Sequence, residues 1–253
     1  MPETSSDSLR DVYERRGETQ YAEPVAPDRT LDRRFDVLTS TIQGLLPVGS
    51  YLDAGCGDGR YLAALPELGP LPARIVGVDI AESILGTARK ATAIAGFEPE
   101  LVRANLESLP FGGEEFDLVV AIQVLEHLLD PAAGVRELAR VLRPNGSLVL
   151  STDNRRMLIT KTLNAPRWAL ARAFGKRNAR VAFDFPHNAY SRAELIDLLA
   201  AVGLEVTHVR TFRFSMVGAP PGLLRTFHRI DAHLPDVGIG DVLLVVARRT
   251  SGD

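Results

Sequence analysis

The chain has 253 residues, of which 45% are hydrophobic, and this is enough for one sizeable core with a small appended cap. Its 29 basic and 32 acidic side chains nearly balance, so the overall basic charge of a nucleic-acid-binding protein is absent and no DNA partner is expected. The single cysteine, Cys56, excludes an internal disulfide framework, and the polar residues 1–20 lack a secretory signal, which predicts a cytoplasmic protein.

Apolar strand patterns alternate with helical patterns along most of the chain. Residues 1–30 are expected to form a flexible segment, and the apolar spacing over 31–46 predicts a helix that ends before Pro47. Further strands are predicted at 51–53, 74–79, 101–104, 116–122, 147–151, 204–209 and 242–247, and further helices at 60–68, 81–95, 131–142 and 191–203. The alternation predicts one α/β domain over residues 31–253, with a doubly wound, mostly parallel sheet of seven strands.

Two stretches, 153–190 and 213–240, interrupt this alternation and are too long for simple connections. We expect each to carry helices of its own and the two together to form a cap. The first is unusual in charge, because 154–183 holds eight basic residues and no acidic one: Arg155, Arg156, Lys161, Arg167, Arg172, Lys176, Arg177 and Arg180. Residues 155–180 therefore predict either a solvated basic face or a surface that contacts an anionic or amphiphilic substrate or a membrane.

A glycine-rich turn joins the first predicted strand to the following helix, with glycines at 55, 57 and 59. Glycine lets the backbone approach a ligand closely, and parallel sheets bind ligands at the carboxyl ends of their strands. A dinucleotide fingerprint would need its third glycine at position 60, where Arg60 stands, so a nicotinamide-dependent oxidoreductase is disfavoured. Asp79 ends the second strand, and its two carboxylate oxygens could accept hydrogen bonds from both hydroxyls of a ribose.

The glycine turn, preceded by Asp53, resembles motif I of the class I S-adenosylmethionine (SAM)-dependent methyltransferases. Four other segments are similar to further motifs of that family, in the family's order: 105–111, 116–127, 138–148 and 190–204. In the first of them, Asn105 replaces the usual acid. The resemblance covers 48–152 strongly and 187–210 moderately. Within the family, the sequence is similar to the ubiquinone-pathway O-methyltransferases in particular. It implies a Rossmann-like transferase fold, SAM as cofactor and S-adenosylhomocysteine as product.

The resemblance also implies which residues hold the cofactor. Asp53 and the turn amides would serve the methionine end of SAM, Asp79 the ribose hydroxyls, and the Asn105 carbonyl oxygen the adenine amino group. The complete expected set is Asp53, Ala54, Gly55, Gly57, Gly59, Asp79, Ile80, Asn105, Leu106, Ile122 and Gln123.

Glu126 and His127 follow the fourth strand on the ligand side of the predicted sheet and are the candidate catalytic residues. Histidine is the usual general base near neutral pH, although a structural or substrate-shaping role for His127 stays open. Some relatives bind a divalent metal through an E-x-x-E-H motif; Gln123 replaces the first glutamate here, so we expect no metal, because hard cations prefer carboxylates. His187 and Tyr190 are candidates to line the acceptor pocket, with cap packing as the alternative.

We therefore predict a SAM-dependent methyltransferase that O-methylates a small hydroxylated metabolite. Because the sulfonium supplies its own leaving group, the protein mainly positions and desolvates the reactants, and the motifs identify the cofactor better than the acceptor. Two alternatives stay open: an RNA-modifying methyltransferase that uses the basic insertion, and a non-catalytic SAM-binding or membrane-associated module.

Overall fold

Seven strands form one sheet, in the order β3-β2-β1-β4-β5-β7-β6, in the computed structural model of the chain. The structure describes residues 5–24, 32–156, 188–212 and 240–251, together with a few residues between 222 and 238. The strands are β1 Ser50–Ala54, β2 Arg74–Asp79, β3 Glu100–Arg103, β4 Phe116–Ile122, β5 Leu142–Asp153, β6 Leu204–Phe212 and β7 Val242–Arg249.

The sheet is mixed, which refines the expected mostly parallel arrangement. Strands β1 to β5 pair in parallel, whereas β7 runs antiparallel to both β5 and β6. The direction of β7 could not be read from its residues, because 242–247 are all buried and a strand covered on both faces has the same continuous apolar pattern in either direction. The prediction of a seven-stranded α/β sheet is confirmed.

Helices cover both faces of this sheet. Within 5–24, 32–156, 188–212 and 240–251 they are α1 Ser6–Thr19, α2 Arg33–Gln43, α3 Arg60–Leu68, α4 Glu82–Ile94, α5 Pro131–Val141 and α6 Arg192–Ala200, and one turn of 3₁₀ helix spans Leu125–His127. Successive side chains of a strand point to opposite faces, so Tyr51 of β1 packs in the core of α2 and α3 while Leu52 packs in the core of α5 and α6.

The N-terminal segment differs from the flexible stretch that the sequence predicts for residues 1–30. The structure places α1 there, begun by a capping box in which the Ser5 and Ser8 side chains each accept from the other's backbone N–H. Only Leu9 and Gly17 of α1 are buried, so the helix carries almost no apolar stripe and its sequence pattern was too weak to reveal it.

Contacts with α4 hold α1 in place. The Glu14 carboxylate accepts hydrogen bonds from the backbone N–H groups of Glu82 and Ser83, at 2.8 and 2.9 Å, and so satisfies two donors at the start of α4. Gly17 lies so close to α4 that a Cβ atom added there would be 2.1 Å from the Ser83 Oγ atom. The backbone of α1 therefore packs directly against the Ser83 and Ile84 side chains of α4 at this point.

Most of the predicted cap, 153–190 and 213–240, lies outside the described residues. The ends of both insertions meet beside Asn154: its neighbours Asp153 and Arg155 hydrogen-bond the Tyr190 backbone at 3.0 and 2.8 Å. The Asn154 amide also donates to the carbonyl oxygens of Gly238 and Gly240. Within the part of the chain that the structure describes, no helix has the length and apolar character needed to cross a membrane.

Candidate functional site

A cavity of about 230 Å³ opens at the carboxyl ends of β1 to β4. The glycine turn and the strand ends form its floor, while α1 and α2 contribute its outer wall. Eight of the eleven expected cofactor residues line it: Gly55, Gly57, Asp79, Ile80, Asn105, Leu106, Ile122 and Gln123. The sequence pattern therefore located the cavity but not its outer wall.

Two glycines of the turn have different roles. Gly57 has φ +54, and no atom of the described residues lies within 4 Å of the Cβ that a side chain would place there, so its missing side chain leaves cavity space. Gly59 has φ +76, and a Cβ there would be 2.7 Å from the Ala88 Cα atom of α4. Gly59, which the sequence analysis assigned to cofactor binding, lies behind the cavity and allows α3 to pack against α4.

Asp79 is fixed by the backbone around it. Its Oδ2 atom accepts from the Gly57 N–H at 3.0 Å and its Oδ1 atom accepts from the Ala81 N–H at 3.1 Å. Burial raises the pKa of the Asp79 carboxyl to about 6, although hydrogen bonds from the Ala81, Gly57 and Ile80 backbone N–H groups act to lower it. The carboxylate is therefore held in a fixed orientation at the cavity edge.

Asp53 lies on β1, behind the glycine turn, and does not line the cavity. Its side chain is buried, and its Oδ2 atom has no hydrogen-bond partner among the described residues. Burial, together with the Asp79 and Asp58 carboxylates, raises the pKa of Asp53 to about 8. A cationic group beside this oxygen would favour the carboxylate form, because a buried charge is costly unless it is paired. Ala54 is also fully buried in β1.

Arg34 of α2 is a cavity residue that the sequence analysis missed. Its guanidinium donates to the Gln123 side-chain carbonyl at 2.9 Å. Its Nε atom and the Gln123 Nε2 atom are buried donors without an acceptor in the described chain. The helical spacing over 31–46 identified the apolar face of α2 and gave no reason to separate Arg34 from the other surface charges.

The two candidate catalytic residues point in different directions. His127 lines the cavity, whereas Glu126 is buried behind it and accepts a hydrogen bond from the Thr152 hydroxyl at 2.9 Å. Burial, with the Asp153 carboxylate as the next contribution, raises the pKa of Glu126 to about 8. The Glu126 carboxyl therefore keeps its proton at neutral pH, and of the pair only His127 reaches the cavity.

Of the two candidate acceptor residues, the structure describes only Tyr190. Tyr190 is half-buried beside β5 and does not line the cavity; burial, then Glu126, raises the pKa of its phenol to about 12. His187 lies outside the described residues. Among the residues that are described, no cluster of three or more His, Cys, Asp or Glu side chains is arranged to hold a metal ion.

We expect the protein to lose stability between about pH 5 and pH 8, and Glu126→Gln to reduce that loss. The folded chain keeps a proton on Glu126 that the unfolded chain releases above its usual pKa, so stability falls as the pH rises through this window. One such group changes the free energy of unfolding by up to about 1.4 kcal/mol per pH unit. Urea unfolding at several pH values measures the slope, with Glu205→Gln at an exposed position of β6 as the control. Equal slopes for Glu126→Gln and wild type would contradict the prediction.

Comparison with known proteins adds family information to this geometry. Residues 52–150 match a family model described as a methyltransferase domain. A ubiquinone biosynthesis O-methyltransferase of Ruegeria pomeroyi is 33% identical over 171 residues, which are 66% of this chain and 64% of that protein. One from Dinoroseobacter shibae is 38% identical over 104 residues, 41% of each chain. The match thus spans less than two thirds of the length of these curated relatives.

Solved structures show the same fold at low sequence identity. Magnesium protoporphyrin IX methyltransferase from Synechocystis, solved with S-adenosylhomocysteine bound, has a TM-score of 0.62 at 17% identity and covers 97% of this chain and 99% of its own. The cyclase SpnF has a TM-score of 0.65 at 16% identity and covers 100% of this chain and 99% of its own. Because one of these neighbours is a cyclase, the fold alone does not specify the reaction, and the side chains in the cavity must.

Proposed function

We propose that the chain is a class I SAM-dependent methyltransferase and that it transfers a methyl group from SAM to the hydroxyl of a small metabolite. The products are the methyl ether of the acceptor and S-adenosylhomocysteine. The observation that carries the proposal is the Asp79 carboxylate, fixed at the cavity edge by the Gly57 and Ala81 amides, beside a turn whose glycine leaves room for a ligand.

The unpartnered polar atoms around the cavity fit the charged groups of SAM. The Nε donor of Arg34, at the cavity wall, suits a carboxylate. Asp53 lies behind the glycine turn, and its role toward the ammonium group stays an expectation from the family resemblance. Asp79 offers acceptors for the ribose hydroxyls. The Oδ1 atom of Asn105 accepts from the Glu107 N–H at 3.0 Å and has a second lone pair for the adenine amino group.

When bound, SAM supplies an activated methyl group and the leaving group of an in-line displacement. His127 lines the cavity wall, where it would accept the proton of the acceptor hydroxyl during methyl transfer. The apolar side chains of Ile122, Val124 and Leu128 line the same wall and exclude water from the reacting groups. Glu126, held in the interior by Thr152, supports the turn that carries His127.

The choice of a hydroxyl as the acceptor group rests on two observations. The matched relatives from R. pomeroyi and D. shibae are O-methyltransferases by name. An imidazole at the cavity wall is also useful for a hydroxyl, which is protonated and a poor nucleophile, and less needed for a neutral amine. We also expect residues 155–180 to contact the acceptor, and this expectation rests only on their basic charge.

The proposal is tested by calorimetry with SAM and NAD and by turnover with methyl-labelled SAM. The acceptor panel pairs phenol and catechol with aniline and benzylamine as amine counterparts. We expect the full chain to bind SAM and not NAD and to label the hydroxyl compounds. Label on the amines alone would overturn O-methylation, and SAM binding without transfer to any probe would favour the non-catalytic alternative.

A further inference from the structure

The N-terminal helix brings an aromatic ring into contact with His127. The Tyr13 and His127 rings have their centroids 6.0 Å apart and their planes at 67°, an edge-to-face arrangement. Both side chains line the cavity, together with Leu9 and Arg16 of the same helix. The proposed base therefore touches a part of the chain that is distant in sequence and that carries no recognisable motif.

Tyr13 occupies a fixed position. The next residue, Glu14, accepts two backbone hydrogen bonds from the first turn of α4, and its carbonyl oxygen accepts a third from the Ser83 hydroxyl at 2.9 Å. Beyond the end of α1, the Thr87 hydroxyl of α4 donates to the Tyr21 carbonyl. The contacts at Glu14 and Tyr21, both of which follow Tyr13 in the chain, thus fix the register of α1 against α4 and hold the backbone that carries the Tyr13 ring.

Besides the His127 ring in contact with it, the charged and titratable groups that act electrostatically on Tyr13 are Arg16, Asp79, Tyr21 and Glu126. Burial raises the pKa of the Tyr13 phenol above its usual range, while Arg16, whose guanidinium carbon is 5.2 Å from the ring centre, acts to lower it. The phenol stays neutral at physiological pH, so Tyr13 adds no charge beside the imidazole. Its contribution to His127 is therefore the contact and the exclusion of water.

We propose that Tyr13 is a positioning residue for the reaction: its ring fixes the plane of the His127 imidazole and shields it from solvent. The effect of Tyr13 on catalysis rests on the proposed function. Its effect on the solvent exposure of the His127 imidazole can be measured without any turnover. An imidazole that turns freely or is hydrated loses the alignment needed for proton transfer, and misplacement of a reacting group by about 1 Å can cost about 100-fold in rate.

The test compares Tyr13→Phe, which keeps the ring, with Tyr13→Leu, which removes it. Arg15→Leu is the matched control, because it introduces the same side chain at an exposed position of the same helix. Hydrogen–deuterium exchange at the His127 C2 position, assigned with His127→Asn, reports the exposure of the imidazole in all variants. Circular dichroism verifies that α1 and the sheet remain folded.

We expect C2 exchange at His127 to be at least about three-fold faster in Tyr13→Leu and unchanged in Tyr13→Phe and Arg15→Leu, because only the first variant uncovers the imidazole. In turnover assays, kcat should fall about 10- to 100-fold in Tyr13→Leu and be rescued in Tyr13→Phe. Wild-type exchange in Tyr13→Leu would overturn the proposal, whatever the activity. Faster exchange in a protein that methylates no probe would leave the positioning contact standing and count against the proposed function instead.

Discussion

Asp79→Ala is expected to weaken SAM binding by about 100-fold or more. The substitution removes two fixed carboxylate oxygens at the cavity edge, and hydrogen bonds to a charged group contribute about 1.5–3 kcal/mol each. Loss of about 3 kcal/mol corresponds to a factor of roughly 100 in the dissociation constant. Isothermal titration calorimetry with SAM measures this change directly.

The fold should survive the loss of Asp79, because the glycine turn has a second attachment to β2. The Gly55 and Cys56 N–H groups both donate to the Val78 carbonyl at 2.8 Å. Asp117→Ala is the matched control: this carboxylate lies at the opposite end of the sheet, where it accepts from Ser50 and Arg143. SAM affinity within three-fold of wild type in Asp79→Ala would remove Asp79 from the cofactor site.

His127→Ala is expected to lower kcat by about 10²–10⁴-fold, the usual contribution of a general base. SAM affinity should change little, because the groups proposed to hold the ribose and the carboxylate of SAM are Asp79 and Arg34. Single-turnover kinetics with a hydroxylated acceptor gives the rate of the chemical step, and calorimetry gives the affinity. His208→Ala, on β6, is the control for the loss of a histidine elsewhere.

Retention of the wild-type kcat in His127→Ala would return His127 to a structural role.

Added chelator separates a metal-dependent reaction from a metal-independent one. We expect no effect of chelator, because Gln123 stands where metal-binding relatives carry a glutamate and hard cations prefer carboxylate ligands.

Local patterns in the sequence predicted the floor of the cavity well. Gly57 and Asp79 are each placed by a strand end and a tight turn, and these features involve residues that are near one another in sequence. The same patterns could not predict which way Glu126 would face. Strand periodicity ends at Ile122, and the 3₁₀ turn that follows sends adjacent side chains to the interior and to the cavity.

The outer wall of the cavity was not predictable in this way. Arg34 reaches Gln123 across 89 positions of the chain, and only the packing of α2 on the sheet brings the two together. The α1 helix was missed for a related reason: it docks through the Glu14 carboxylate and the bare backbone of Gly17, and neither contributes to an apolar period.

The contact at Gly17 reverses the usual ranking of residues in a helix. Taken alone, glycine inside α1 weakens the helix by about 0.5–1 kcal/mol relative to alanine, so an engineer seeking a more robust protein would choose Gly17→Ala. That methyl group would lie 2.7 Å from the Ser83 Cβ atom and 2.9 Å from the Ile84 Cγ1 atom, and α1 could accommodate it only by moving away from α4. Gly17→Ala would therefore strengthen the isolated helix but move α1, and Tyr13 with it, away from the cavity.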